Sequence, residues 1–445
     1  MMVMLITVIL ASAVYYWGSS MVGGSQRGVE APMNVNVQRL SEDLAIETVE
    51  FGGEGIKLHV RNTGSTPSTV DAIYVNDERY AITPQTIKPG EKAVLTLSIG
   101  WERNKTYRFA LATSLGNLYE TYVKAPLSWL EGWSYRKKHE ILGSTVGSLS
   151  NYQVKIVVHY GSGTDSGENV YVDGKSQPDF DDVRFTGPDG ETVLNCWLEA
   201  KKDGDYAIFW VKIPSIPAHP EKTTIYIYYG NASALSISNG PATFIFFDDF
   251  DKWEGWVSDP PGNGVGSVDQ YIYGGDPVLR KKDNCDPSGG YKPLGASLSS
   301  YRLLVKERRD MEGSDCKMNR YGIEDDGGNG YGITRRAYTA STGDFGFERR
   351  DSGSGHDAQY TTLSQPYQHW YITELTKYGS TLTATLYDEG GNLIGSKSGT
   401  DSTHSGPFTN VVIRGGRPYY VAWIAVASYV YPEPSHGDWG PEETP

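Results

Sequence analysis

The last third of the chain combines aromatic side chains with arginine, aspartate and asparagine, which are the groups that hold a sugar. Proteins bind sugars by placing an aromatic ring against the sugar face and by a few well-placed polar groups. The candidate glycan-binding residues chosen on this basis are Tyr321, Tyr331, Arg335, Arg336, Tyr367, His369 and Trp370. The alternative is that strand aromatics, Trp370 and Trp423 especially, alternate into a sandwich core.

Catalysis is not expected from the acidic residues. Glycoside cleavage needs two carboxylates about 5 to 10 Å apart, which alternate acidic residues on one strand would provide. No predicted strand carries such a pair. The nearest acidic cluster, Glu324-Asp325-Asp326, falls in the segment IEDDGGNGYG, whose glycines predict a turn. We therefore expect a protein that is not an enzyme.

The same turn offers hard oxygen ligands for calcium. Asp325, Asp326 and Asn329 are suitable ligand types on a flexible backbone, although the full EF-hand spacing is absent. A structural calcium site is one interpretation, and a solvated acidic hairpin tip is the other; no other cofactor is expected. The eight histidines show no metal-binding spacing and are expected on the surface.

The cysteines and glycosylation sequons bear on export. Cys285 and Cys316 fall in the same late region and form either a disulfide, as in an oxidising exterior, or two unrelated thiols. Cys196 alternates with apolar neighbours and is expected to be buried. Asn104 and Asn231 begin Asn-x-Ser/Thr sequons, which matter only if the chain is exported.

Composition and patterning place these residues on a mainly β framework. The 445 residues suggest about three domains, and 52 glycines, 31 tyrosines and 11 tryptophans are typical of turn-rich β-modules. Alternation such as Ile56, Leu58 and Val60 predicts short strands with one buried face. A net charge of −14 excludes a nucleic-acid partner, which would require a basic surface.

The first 22 residues contain no charge, and the first charged residue is Arg27. As a helix they would be roughly 33 Å long, enough to cross a hydrocarbon core. Three interpretations are open: a signal peptide, a membrane anchor, or the assembly helix of a filament subunit. The assembly residues in the third interpretation are Met4, Leu5, Ile6, Val8, Ile9, Leu10, Val14, Tyr15, Tyr16 and Trp17.

The segments VRNTGSTPSTVDAIYVND, ITPQTIKPGEKAVLTL and YRFALATSLGN, behind this apolar run, resemble the globular domain of archaeal type IV pilins and archaellins. The resemblance covers roughly residues 1 to 126. It implies an apolar filament or membrane helix with hinge at 1–30 and a pilin-like β-sandwich at 31–126, which the spacing of its short strands predicts to be immunoglobulin-like. It also implies insertion in the membrane before assembly, followed by packing with copies of itself into a helical filament outside the cell.

Two further resemblances cover the rest of the chain. The segments PDFDDVRFTGPDGETVLNCWLE, AIFWVKIP and IYIYYGN resemble an uncharacterised β-domain of surface proteins, placed at 127–243. The region 244–436, with its hairpin LTATLYDEGGNLIG, resembles a concanavalin-like lectin/glucanase jelly roll. Residues 437–445 are expected to be a loose acidic tail. The fold prediction is therefore one N-terminal apolar helix followed by three β-sandwich domains.

These features together predict a structural and adhesive subunit. The helix would assemble into the filament core, and the β-domains would project outward to bind surface glycans or neighbouring cells. A membrane-anchored surface lectin or receptor that does not polymerise is the alternative, and an anchored glycoside hydrolase is the third hypothesis.

Overall fold

The computed structural model describes residues 38–52, 55–102, 105–125, 129–259, 268–282, 289–309, 318–336, 342–415 and 419–445. The assembly residues of the apolar run, Asn104, Cys285 and Cys316 lie outside these ranges. Those predictions therefore stay predictions. The chain divides into two compact units, Met1–Ser128 and Trp129–Pro445. Among the described residues, no helix has both the length and the apolar character needed to cross a membrane.

The first unit is a sandwich of a three-stranded and a four-stranded antiparallel sheet, preceded by a helical turn at 38–41. Its strands are β1 (Leu44–Gly52), β2 (Gly55–Asn62), β3 (Ser68–Val75), β4 (Glu78–Ile87), β5 (Lys92–Leu97), β6 (Thr106–Thr113) and β7 (Leu118–Lys124). The strand orders are β1-β2-β5 and β4-β3-β6-β7. Ile56, Leu58 and Val60 are fully buried between the sheets, as their alternation predicts.

The second unit begins with a smaller sandwich, called here the middle sandwich. Its strands are β8 (Tyr135–Leu142), β9 (Leu149–His159), β10 (Asn169–Tyr171), β11 (Arg184–Thr186), β12 (Cys196–Lys202), β13 (Tyr206–Ile216), β14 (Lys222–Tyr229) and, at the far end of the chain, β30 (Ser435–Glu443). Two four-stranded sheets, β10-β9-β13-β12 and β11-β14-β8-β30, enclose one core. Cys196 is 1% exposed within it, as predicted.

The acidic C-terminal segment is not a loose tail, which corrects the prediction for residues 437–445. It forms β30, which pairs antiparallel with β8 and completes the sheet of the middle sandwich. Two of its acidic side chains meet cations there: Glu442 pairs with Lys175 at 2.5 Å, and Glu443 pairs with Arg136 at 2.7 Å. The acidic side chains of β30 therefore pair with the basic residues Lys175 and Arg136 of the middle sandwich, and we call this contact the docking surface of β30.

Two histidines lie at this docking surface, so the expectation that every histidine is on the surface is wrong. His139 on β8 is fully buried, and its Nε2 lies 2.9 Å from Nδ1 of His436 on β30. Its ring also stacks on Trp439, with ring centroids 3.7 Å apart. Sequence spacing hid the pair because 297 residues separate the two histidines.

Acid is expected to weaken the fold at this point, by about 2 kcal/mol between pH 7 and pH 5. Burial, together with the neighbouring His436, lowers the pKa of His139 to about 3, whereas an unfolded histidine has a pKa of about 6.5. Because the folded ring binds fewer protons than the unfolded one, stability is complete above pH 6.5 and is lost as the pH falls towards 3. Urea unfolding at a series of pH values measures this. The variant His139→Phe should flatten the pH dependence, and an unchanged slope would contradict it.

The rest of the second unit is a larger sandwich, called here the large sandwich, entered through a short helix at Gly240–Thr243 whose N-cap is Asn239. Its strands are β15 (Phe246–Asp248), β16 (Val257–Asp259), β17 (Val268–Tyr273), β18 (Asp276–Lys281), β19 (Gly289–Leu298), β20 (Tyr301–Arg309), β21 (Met318–Glu324), β22 (Gly330–Arg336), β23 (Thr342–Asp351), β24 (Ser354–Ser364), β25 (Trp370–Tyr378), β26 (Thr381–Asp388), β27 (Leu393–Thr400), β28 (Phe408–Gly415) and β29 (Tyr419–Ala427).

These strands form two facing antiparallel sheets around one core. The eight-stranded sheet has the order β17-β18-β29-β20-β25-β26-β27, with β15 on β29, and the seven-stranded sheet has the order β16-β19-β28-β21-β22-β23-β24. Leu382, Ala384 and Leu386 of the predicted hairpin are fully buried between them. The structure confirms the prediction of a mainly β chain built from sandwiches, the last one a large double-sheet sandwich.

The middle and large sandwiches share an aromatic contact. Trp197 and Trp210 of the middle sandwich pack with Phe244, Leu304 and Trp423, and the rings of Trp197 and Trp423 meet edge to face at 4.8 Å. Edge-to-face pairs of this kind add to the free energy gained from burying the rings. The two sandwiches therefore form one compact unit, although the sequence predicts them as separate domains.

Loss of one side chain at this contact should uncouple the two sandwiches. Leu304→Ala is expected to cost about 2–3 kcal/mol, because it leaves a cavity among the tryptophans. In calorimetry the second unit of the parent is expected to unfold in a single transition. In the variant this transition should broaden or separate into two. Leu118→Ala, at a position of the first unit that is 52% exposed, is the control and should leave this transition unchanged. A sharp, unshifted transition for Leu304→Ala would contradict the coupling.

Candidate functional site

The outer face of the eight-stranded sheet carries an ordered series of side chains. Along β20, the alternate residues Arg302, Leu304, Lys306 and Arg308 point away from the core, while Leu303 and Val305 point into it. Along β25, Trp370, Ile372 and Glu374 do the same. The middle sandwich contacts the central residues Leu304 and Ile372, which leaves Arg308 and Trp370 at the uncovered end.

Four aromatic side chains and an arginine gather at this end, and we call them the Trp370 patch: Tyr271, Tyr273, Arg308, Trp370 and Tyr420. The Tyr273 ring meets the Trp370 ring edge to face, with centroids 5.8 Å apart. The Tyr420 ring is tilted against Tyr273 at 4.6 Å and against Tyr271 at 5.7 Å between centroids. Tyr271 is 38% exposed and the other rings are half-buried. The result is a continuous aromatic surface that is open to solvent.

Cations are interleaved with these rings. The Arg308 guanidinium lies 5.0 Å from the centre of the Tyr273 ring, and that of Arg280 lies 4.4 Å from Tyr271. Asp269 fixes Arg280 through two hydrogen bonds of 3.0 and 2.8 Å. Cation–π contacts and ion pairs hold long side chains in one geometry, so polar groups are positioned at the edge of the aromatic surface.

A groove of about 510 Å³ adjoins the Trp370 patch and shares Arg308 and Trp370 with it. It is lined by Arg308, Trp370, His369 and the acidic turn residues Asp388 and Glu389. Glu389 also pairs with Lys306 at 2.9 Å. The groove therefore offers an aromatic wall with carboxylate acceptors and cationic donors beside it, which is the combination needed to hold a polyhydroxylated ligand.

The structure places the predicted glycan-binding residues in several different environments. His369 and Trp370 line the groove, whereas Tyr367, two residues before His369 in the chain, is not among its lining residues. Tyr321, Tyr331 and Arg335 are wrongly assigned, because they are at most 2% exposed and lie between the two sheets. Arg336 belongs to the seven-stranded sheet, where its guanidinium stacks on the Tyr360 ring at 4.5 Å.

Arg335 instead forms a buried ion pair. Its Nη1 donates to Glu307, which is 0% exposed, and its Nε donates to Gln365 at 2.5 Å. The other carboxylate oxygen of Glu307 accepts a 3.0 Å hydrogen bond from Asn319. A charge buried this deeply requires such partners, and the arginine is therefore structural.

The structure brings together two glutamates that the sequence analysis did not pair. Glu324 on β21 and Glu348 on β23 both accept hydrogen bonds from Arg350, at 3.1 and 2.5 Å. Arg414 also donates to Glu324, and Arg320 lies 3.1 Å from Glu348. Because β22 lies between β21 and β23, spacing along a single strand does not reveal this pair. Both carboxylates are at most 2% exposed and are bound by arginines.

The predicted calcium turn is held by its own hydrogen bonds. Asp325 Oδ1 accepts from the backbone N–H groups of Gly327 and Asn329 at 2.9 and 2.8 Å, and Asp326 Oδ1 accepts from Thr409 and Asn410. Within the described ranges, no group of three or more His, Cys, Asp or Glu side chains is arranged to hold a metal ion. A structural calcium stays a prediction for this turn.

The sequon asparagine Asn231 has a local structural role. Its backbone N–H donates to the buried Asp182 at 3.0 Å, and its side-chain oxygen accepts from Ser233 of the same sequon. Asp182 also accepts from the backbone of Gln177 and Gly230. Asn231 therefore belongs to a turn anchored on Asp182, and its glycosylation stays a prediction.

Comparison with known proteins finds a family match in one segment of the second unit, from the middle sandwich into the first strands of the large sandwich. Residues 179–258 match the family described as a domain of unknown function, DUF2341. They overlap the segment that resembles an uncharacterised surface domain. The uncharacterized protein MJ1394 of Methanocaldococcus jannaschii is 32% identical over 214 residues, which is 47% of this chain and 21% of that protein. The chain thus spans about a fifth of that relative.

Solved structures similar to this chain include a carbohydrate-binding module, CBM66, from Bacillus subtilis, with 14% identity, a TM-score of 0.29 and coverage of 39% of this chain and 96% of that one. A glycoside hydrolase family 16 endo-glucanase from Bacteroides ovatus has 11% identity, a TM-score of 0.30 and coverage of 41% and 99%. Peanut lectin has 9% identity, a TM-score of 0.29 and coverage of 42% and 97%.

Proposed function

We propose that this chain is a cell-surface protein that binds glycans through the Trp370 patch and its adjoining groove. The observation that carries the proposal is the open aromatic surface formed by Tyr273, Trp370 and Tyr420, bordered by fixed cations and carboxylates. Such a surface stacks on the apolar faces of sugar rings while its polar border bonds their hydroxyl groups.

The proposed role is binding without catalysis. Glu324 and Glu348 share Arg350 as a partner, and each is buried and engaged by arginines. The groove beside Trp370 supplies Asp388 and Glu389 as hydrogen-bond acceptors on its rim. The chain would therefore retain a glycan and leave it intact.

The experiment is a binding screen of the purified protein against a glycan array and insoluble polysaccharides. Saturable retention of one glycan class, with no reducing ends released during incubation, would support binding without cleavage. Absence of binding across plant, bacterial and host glycan classes would contradict the proposal. Release of reducing ends would favour the third hypothesis, an anchored glycoside hydrolase.

A filament is the second candidate function, and the charge-free run from Met1 to Val22 favours it. The helix would rest in the membrane before assembly and then pack against copies of itself, with heterologous contacts that do not close into a ring. The glycan-binding sandwich would be displayed outside the cell. Electron microscopy of material sheared from cells tests this, because absence of the chain from every filament would leave a surface-anchored lectin.

A further inference from the structure

A cavity of about 280 Å³ lies between the middle and large sandwiches, away from the Trp370 patch. Glu199 and Trp210 line it from the middle sandwich, and Arg302, Glu374 and Tyr387 line it from the eight-stranded sheet. Its volume is near the lower end for ligand sites, which run from about 300 to 1,000 Å³. A small ligand is therefore the size that it accommodates.

Most charges on the cavity wall already have partners. Arg302 bonds Glu374 at 2.5 Å and Glu433 at 2.7 and 3.0 Å. Tyr152 and Tyr387 donate further hydrogen bonds to Glu433 and Glu374, at 2.6 and 2.9 Å. The wall also carries an ion pair between Lys155 and Glu168 at 3.2 Å. The cations that line the cavity are thus committed to carboxylates other than Glu199.

Glu199 is the exception among these carboxylates. Its hydrogen-bond partner among the described residues is the indole N–H of Trp210, and none of the ion pairs seen in the described part of the chain includes it. Burial raises the pKa of Glu199 and the nearby Glu374 acts in the same direction, whereas the hydrogen bond from Trp210 and the charges of Lys155 and Lys306 act against this rise. An ionised carboxylate in such a place is stabilised by a cation brought to it.

The wall beside Glu199 also suits a cation. The four carboxylates Glu168, Glu199, Glu374 and Glu433 outnumber the two cations Lys155 and Arg302, so the lining is negative. Trp210 lines the cavity with the edge of a ring that is 5% exposed, and the Arg302 guanidinium 5.4 Å from this ring shows that a cation is accommodated beside it. Ring faces attract ammonium groups in partly desolvated sites.

We propose that this cavity is a second binding site, which takes a small primary amine whose ammonium group pairs with Glu199 beside the Trp210 ring. Both free alkylamines and amino sugars carry this group. The neighbouring Glu374 carboxylate is placed to accept hydrogen bonds from the rest of the ligand, and the Tyr387 hydroxyl to exchange one with it. The site is independent of the Trp370 patch.

The test is isothermal titration and thermal unfolding of the full chain with 1,4-diaminobutane and with glucosamine. The neutral analogues 1,4-butanediol and glucose serve as matched probes. Saturable binding of either amine, with a raised melting temperature and at least tenfold weaker binding of its neutral analogue, is the expected result. Preference for glucosamine would identify a sugar amine, and preference for 1,4-diaminobutane a free polyamine.

Two variants locate the binding. Glu199→Gln keeps an acceptor for the Trp210 N–H and should weaken amine binding at least tenfold, while its melting temperature without ligand reports that it folds. Glu254→Gln removes an exposed charge elsewhere on the same unit and should bind as the parent does. Lack of amine binding, equal binding of the neutral analogues, or unchanged binding by Glu199→Gln would overturn the proposal.

Discussion

Trp370→Ala is expected to weaken glycan binding by about thirtyfold or more, which corresponds to about 2 kcal/mol. Its ring is the wall shared by the aromatic surface and the groove, with Tyr273 on one side and His369 on the other. Truncation removes the stacking face and opens the site to water. The ring is half-buried on the outside of the sheet, so the core should be little affected. Affinity for the glycan class found in the screen is the measurement.

Tyr122→Ala is the matched control for this loss. Tyr122 is an aromatic residue that is 62% exposed in the first unit, outside the Trp370 patch. Its replacement should leave glycan affinity unchanged. Equal binding by the Trp370→Ala variant and the parent would show that the sugar is held elsewhere, and amine binding in the cavity should be the same in both proteins.

Arg335→Ala is expected to lower the free energy of unfolding by about 3–5 kcal/mol, the range for breaking a buried ion pair. The change would leave Glu307 as an uncompensated charge at 0% exposure, and it would also remove the donor to Gln365. Because these groups lie between the two sheets, the loss is one of stability and not of a ligand contact. Urea unfolding of the variant measures it.

The adjacent Arg336→Ala is the control, since Arg336 stacks on Tyr360 in the seven-stranded sheet and is not fully buried. Its cost should stay below about 1 kcal/mol. The double variant Arg335→Met with Glu307→Leu removes both charges and should recover much of the stability lost by Arg335→Ala. If the Arg335→Ala protein were stable but no longer bound glycan, Arg335 would be a glycan-binding residue and its structural role would be contradicted.

The strands were predictable because their alternation is local. Leu382, Ala384 and Leu386 lie on one face of a strand by geometry alone, and the structure buries all three. The same alternation along β20 and β25 separates residues facing the core from those facing outward. It does not tell which face another sandwich will cover. Trp370 and Trp423 have similar sequence patterns around them. Trp370 nevertheless lines an open groove, whereas Trp423 lies in the contact between the two sandwiches.

The Trp370 patch was only partly predictable, because its residues come from strands that are distant in the chain. Tyr273 on β17 and Tyr420 on β29 become neighbours through the order β17-β18-β29-β20-β25. That order places an early strand of the large sandwich, β17, one strand away from its last strand, β29, and no local pattern encodes it. Arg335 and Arg336, which are adjacent in the sequence, were predicted to share one site. Adjacent residues of a strand point to opposite faces, so Arg335 is buried between the sheets and Arg336 is not.

The last strand has a consequence for synthesis of the chain. The bond between Arg136 and Glu443 joins residues 307 positions apart, so β8 has an open edge until the ribosome has made β30. Contacts this distant in sequence form late and slowly, and an unpaired strand edge invites association with other chains. The middle sandwich is therefore completed only after the entire large sandwich has been synthesised, and a stop before β30 would leave it with a missing strand.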